Sequence, residues 1–182
     1  LSVSKDGKGV LYYTVSMKYA IPASEQYARD EGICIYSIIT DVKTGKEVTG
    51  NELQSGTIYR EELYISSTKD RTFVAVRAPI PCGAEIMNAA FVSTGTLPPT
   101  QKKNTQDEDE ADNDEDYNYG LSHQDIYDSE VRYFWNQFSK GHQKVEFLFR
   151  TARIGTYGTP SATAECMYEP EIFGRTAGKN WP

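Results

Sequence analysis

Two histidines, His123 and His142, and three cysteines, Cys34, Cys82 and Cys166, are all this chain offers for a Cys/His metal site or for thiol chemistry. The cysteines lie far apart and show no C-x-x-C spacing, so a Cys/His zinc site has no ligand set to draw on. Cys34 and Cys166 read as small apolar side chains on strands, while a disulfide between two of the three stays open, with the pair unspecified. No apolar run reaches the length of a membrane span, and no basic start leads into an apolar stretch, so direct membrane insertion by these residues is not expected. Lys and Arg occur singly along alternating segments, which leaves no basic face for nucleic acid. A G-x-S-x-G nucleophile elbow is missing too, so Ser122, His123 and Asp125 read as a solvent-facing loop and not as parts of a hydrolase triad. The neighbouring acids Glu165, Glu169 and Glu171 sit on a strand and across Pro170, which does not suit a glycosidase pair.

What the chain has is aromatic bulk and β-branched residues. Thirteen Tyr, seven Phe and two Trp in 182 residues suit one core between strand-forming surfaces. The formal charge of −7 is misleading, because eight acids fall within residues 107–116; without them 18 acids face 19 Lys and Arg. The acidity belongs to an insertion and not to the fold. Residues 95–118, rich in Gly, Pro, Thr, Gln, Asn and acids, are expected to be a flexible, partly disordered acidic loop, since burial there cannot offset the entropy of ordering. Asp112, Asp114 and Asp116 begin like a calcium loop, but Tyr117 stands where an EF-hand needs glycine, so no metal site is expected.

Alternation organises the rest. Residues 9–20 place Leu11, Tyr13, Val15, Met17 and Tyr19 on one face and Tyr12, Thr14, Ser16 and Lys18 on the other, which predicts a half-buried strand ended by Pro22. Residues 33–41 predict a second. Residues 57–66 and 72–78, joined by a polar cluster, read as a β-hairpin with a turn longer than two residues. Residues 130–137 put Val131, Tyr133 and Trp135 on one face; 144–153 do the same with Val145, Phe147 and Phe149; and 161–168 form a last strand. A helical period persists only weakly, over residues 24–31. About seven antiparallel strands argue an all-β, two-sheet sandwich occupying residues 1–182 as one domain with the insertion at 95–118.

The string Met-Tyr-Glu-Pro-Glu-Ile-Phe-Gly-Arg-Thr-Ala-Gly, from Met167 to Gly178, resembles the carboxy-terminal signature of the last macroglobulin-type domain of bacterial α2-macroglobulins. Upstream segments match in family order: residues 9–15, 53–56, 73–81, 130–134 and 149–157. The resemblance implies a macroglobulin, immunoglobulin-like sandwich with no chemistry and no cofactor of its own. It further implies a parent that is a periplasmic or envelope-associated trap, in which a protease cuts a bait region, the molecule rearranges and a thioester captures the attacker. This terminal domain then packs on the thioester-type domain and meets proteases only through the intact parent. No Cys-x-Glu-Gln thioester motif occurs here. The acidic insertion and Cys82, in a turn where small residues are usual, depart from the family pattern.

On that reading Tyr168, Pro170, Glu171, Gly174 and Arg175 form the interdomain contact. A rigid proline, a glycine turn and a five-donor guanidinium suit docking against protein. The alternative is that Arg175 and Glu171 only tie the tail onto its own sandwich. A rival function, a carbohydrate-binding or adhesion module, would use Tyr133, Trp135, Phe147, Phe149 and Tyr157 as a platform; cross-strand packing explains their spacing more economically.

Overall fold

The computed structural model describes residues 1–87 and 120–181, and the acidic stretch 95–118 lies outside them. The described residues form a 3₁₀ turn, Ala23–Glu25, and twelve strands: β1 (Arg29–Glu31), β2 (Cys34–Asp41), β3 (Ile58–Ser67), β4 (Arg71–Pro79), β5 (Ala84–Met87), β6 (His123–Ile126), β7 (Glu130–Phe138), β8 (Gly141–Thr151), β9 (Tyr157–Thr159), β10 (Thr163–Cys166), β11 (Glu169–Arg175) and β12 (Lys179–Trp181). One sheet has the order β1-β11-β10-β4-β7-β6, a second β2-β3-β8-β5, and β12 pairs with β9 alone. The fold is therefore the expected antiparallel sandwich.

Period-two alternation fills the space between the sheets. On β3, Tyr59, Glu61, Leu63 and Ile65 point inward; on β7, Val131, Tyr133 and Trp135; on β8, Val145, Phe147 and Phe149. These are the faces that alternation separates in the sequence, because adjacent side chains on a pleated strand leave on opposite sides. Val74, Val76 and Ala78 of β4 complete the opposing wall.

Connectivity departs from the sequence expectation at the 67–71 turn. β3 and β4 are not a hairpin, since β3 pairs with β2 and β8, whereas β4 pairs with β7 and β10. The chain instead arches from one sheet to the other, and the β7–β8 connection does the same beside it. Lys140 N donates to Asp70 Oδ1 at 2.7 Å and ties the two arches together. A polar turn of this length serves hairpin or arch equally well; the choice is made by which sheet each apolar face must cover.

Two further expectations fail for a shared reason. Residues 9–20 carry strand alternation but join no ladder, and Tyr12, Tyr13, Val15, Met17 and Tyr19 stand exposed. A strand needs a partner for its N–H and C=O groups, and nothing in the described chain supplies one. Conversely, residues 161–168 are expected to be the last strand, with turns at Pro170 and Gly174 beyond it, and residues 169–175 are a further strand. Pro170 is tolerated because the β10–β11 register shifts between Glu165 and Cys166, so its missing N–H falls in the irregular stretch. Deleting residues 1–20 is expected to move the thermal midpoint by less than about 2 °C, since a chain of this size loses roughly that much for half a kcal/mol. A larger fall would mean that the segment packs on this sandwich.

Candidate docking surface

The β10–β11 hairpin turns at Met167 and Tyr168, at the end of the sandwich that also carries the two arches. Met167 is 52% exposed and Tyr168 76%, whereas Val74, Val76 and Ala78 of β4 and Ala164 and Cys166 of β10 are buried. Beneath them lies Phe73 of β4, 44% exposed, with its ring edge-on to Tyr168 at 5.1 Å and 88°. Met167 N donates to Phe73 O at 2.9 Å. Three apolar side chains thus stand together at one tip, with Glu169, Pro170 and Glu171 exposed beside them.

Phe73 has φ of 52°, and among the described residues it alone combines a side chain with a positive φ. An L-residue in the left-handed region costs about 1–2 kcal/mol, and more for a bulky one. It drops out of the β4–β7 register, which runs from Thr72↔Gln137 to Val74↔Trp135. No sequence signal announces this, because local strain leaves no compositional trace at a phenylalanine.

The remaining residues expected at the contact have different settings. Gly174 is buried between β1, β10 and the start of β2, where a Cβ would meet Ile33 O. Arg175 is half-buried, and its Nε donates to Tyr27 O at 2.8 Å, a bond within the chain. Tyr168, Pro170 and Glu171 face solvent. Cys166 ends β10 from the inside, and burial raises its thiol pKa. Cys34, Cys82 and Cys166 are all free thiols.

Other constellations resolve into structure. Tyr133, Trp135, Phe147 and Phe149 are core, so they cannot serve as a sugar platform; Tyr157 covers Gly83 and Gly155. His123 Nε2 and Asp125 Oδ1 meet at 2.8 Å on exposed β6, but Ser122 Oγ accepts from Asn136 N and is engaged with backbone. Glu130 is held by Arg77 at 2.7 Å and by Arg132 at 2.6 Å. Burial alone would raise its pKa, and the two guanidiniums more than reverse that, holding the carboxyl below its ordinary value.

Comparison with known proteins adds the context. Residues 32–171 match the family model described as the bacterial alpha-2-macroglobulin MG10 domain. An alpha-2-macroglobulin homolog of Nostoc is 27% identical over 97% of this chain and 9% of its own length. Circularly permutated Ras protein 2 of Dictyostelium discoideum is 25% identical over 97% of this chain and 4% of its own. The chain therefore spans less than a tenth of these relatives. In fold it is similar to native Escherichia coli alpha-2-macroglobulin from domain MG7 to the C-terminus, with TM-score 0.67, 18% identity, and coverage of 87% of this chain and 25% of that one. Salmonella alpha-2-macroglobulin reacted with methylamine gives TM-score 0.65 and 16% identity over 88% of this chain and 10% of that one.

Proposed function

Because the chain belongs to the bacterial alpha-2-macroglobulin MG10 domain family, we propose that it is the non-catalytic docking module of a protease-trapping parent, packing on that parent's thioester-type domain. The observation that carries this reading is the exposed triplet Phe73, Met167 and Tyr168 at the hairpin tip. Apolar side chains gathered at a protruding turn gain from being covered, and a polar rim beside them is the usual anatomy of a protein contact. Glu169 and Glu171 furnish the rim; Pro170 stiffens it. Gly174 and Arg175 act at one remove, by fixing β11 to its own sandwich, so that the tip is presented on a rigid strand. The parent acts in the periplasm or at the cell envelope, and proteases reach this module only through the intact parent.

Tyr168→Ala should cost the isolated chain under about 1 kcal/mol, the size of an exposed aromatic pair. In the full-length parent the same change should speed hydrogen exchange in the neighbouring domain. Where that domain carries a thioester, its reactivity toward a small amine should rise as well. A variant that destabilises the isolated chain and leaves the parent's exchange unaltered would sink the reading. Arg175→Ala separates the roles, since loss of its bond to Tyr27 O should loosen the strand edge within the chain itself.

A further inference from the structure

We propose that Phe73 is the positioning residue of this tip, held in a strained backbone conformation in order to pre-order Tyr168 for docking. The inference rests on the docking role proposed above and adds to it a residue on a different strand.

A positive φ on β4 could be met at no steric cost by glycine, and with little by asparagine or aspartate. A phenylalanine there needs a reason that its burial does not supply, because the residue is 44% exposed. Hydrophobic packing against the core is likewise no reason, since Val74 next to it points fully inward and does that work. Phe73 makes two contacts that explain it. Its ring stands edge-on to Tyr168 at 5.1 Å. Its carbonyl takes the Met167 N–H at 2.9 Å, just beyond the last β10–β4 pair, Cys166↔Val74.

Both contacts restrain the same two residues. The left-handed φ takes Phe73 out of the β7 ladder, and its carbonyl fastens the first turn residue of the hairpin. The ring then leaves the second turn residue fewer rotamers. A tyrosine on an exposed turn that lacks such a neighbour must be ordered at the moment of binding, and the lost rotamer freedom weakens affinity. Holding Tyr168 beforehand removes part of that cost, by about two- to tenfold in affinity for one side chain.

The test is Phe73→Gly, made in the 182-residue chain and in the full-length parent, beside Tyr168→Ala. Glycine accepts the backbone conformation, so the thermal midpoint of the chain should hold or rise, while NMR should show Tyr168 losing the ring-current shift that Phe73 imposes. In the parent, exchange protection at residues 167–168 should fall by about two- to tenfold. Should Tyr168→Ala lower the parent's protection and Phe73→Gly not, the docking role stands and the positioning role is overturned. Should neither variant lower it, the docking role fails and takes this one with it. A fall in the chain's midpoint by more than about 5 °C with Phe73→Gly would make the ring a packing element of the sandwich and would also overturn the proposal.

Discussion

Gly174→Ala is expected to destabilise the chain by at least about 3 kcal/mol, the upper end of ordinary overpacking. A Cβ at this position would lie 2.0 Å from the carbonyl oxygen of Ile33 and 2.9 Å from its carbonyl carbon. Both are backbone atoms, so no rotamer change can make room. Neither side can retreat cheaply. Gly174 is paired to Asp30 on β1 and to Ala164 on β10, and Ile33 is completely buried where the chain crosses into β2. The close approach of these backbones is what closes the open side of the sandwich, so relieving the clash means separating β11 from β2. Urea unfolding of the variant beside Gly50→Ala measures it, because a Cβ at Gly50 meets nothing within 4 Å and φ there is not positive. A midpoint for Gly174→Ala that matches the Gly50→Ala control would show that the two strands can part without loss.

That glycine also shows where sequence reading stops. Within Glu-Ile-Phe-Gly-Arg it looks like a turn, since a glycine's conformational freedom is a local property and visible in sequence. Its actual reason is a strand that arrives from about 140 residues away in the chain, a contact that local pattern does not encode. The same limit explains residues 9–20, whose alternation is as regular as that of β7 but whose partner is missing from the described chain. It explains the 67–71 arch as well. In contrast, the inward faces of β7 and β8 were legible, because period-two burial is written residue by residue and does not depend on which strand lies opposite. Of the candidate surface, Tyr168 was legible through the family-like terminal string. Phe73 was not, since nothing in Arg-Thr-Phe-Val predicts a left-handed backbone.

Glu61 was legible only as a position. Alternation places it on the inward face of β3 with Tyr59 and Leu63, and the structure leaves it there, 5% exposed, with Oε2 lacking a hydrogen-bond partner. It borders a cavity of about 10 Å³, lined also by Ser37, Ile39, Thr159, Thr176, Lys179 and Trp181. Loss of hydration dominates its ionisation, while a hydrogen bond from Ser37 and the charge of Lys179 only partly oppose it, and the pKa is pushed from 4.5 up to about 7. The sign of the consequence follows from which state holds the proton. Below pH 4.5 both folded and unfolded chains carry it, and the contribution to stability is complete. Between 4.5 and 7 the unfolded chain ionises and the folded one resists, so stability falls as pH rises through that window; above it the loss is finished. A displacement of this size corresponds to roughly 3 kcal/mol. Glu130 works in the opposite sense, its stabilisation being present above the ordinary carboxylate range and lost only in acid. Chemical denaturation at intervals from pH 4.5 to 8 should therefore show stability declining toward neutrality, and Glu61→Gln, which keeps the shape without the titration, should flatten the profile. If the wild-type profile is flat over this range, or if Glu61→Gln declines in parallel with it, the buried carboxyl is not the group that sets it.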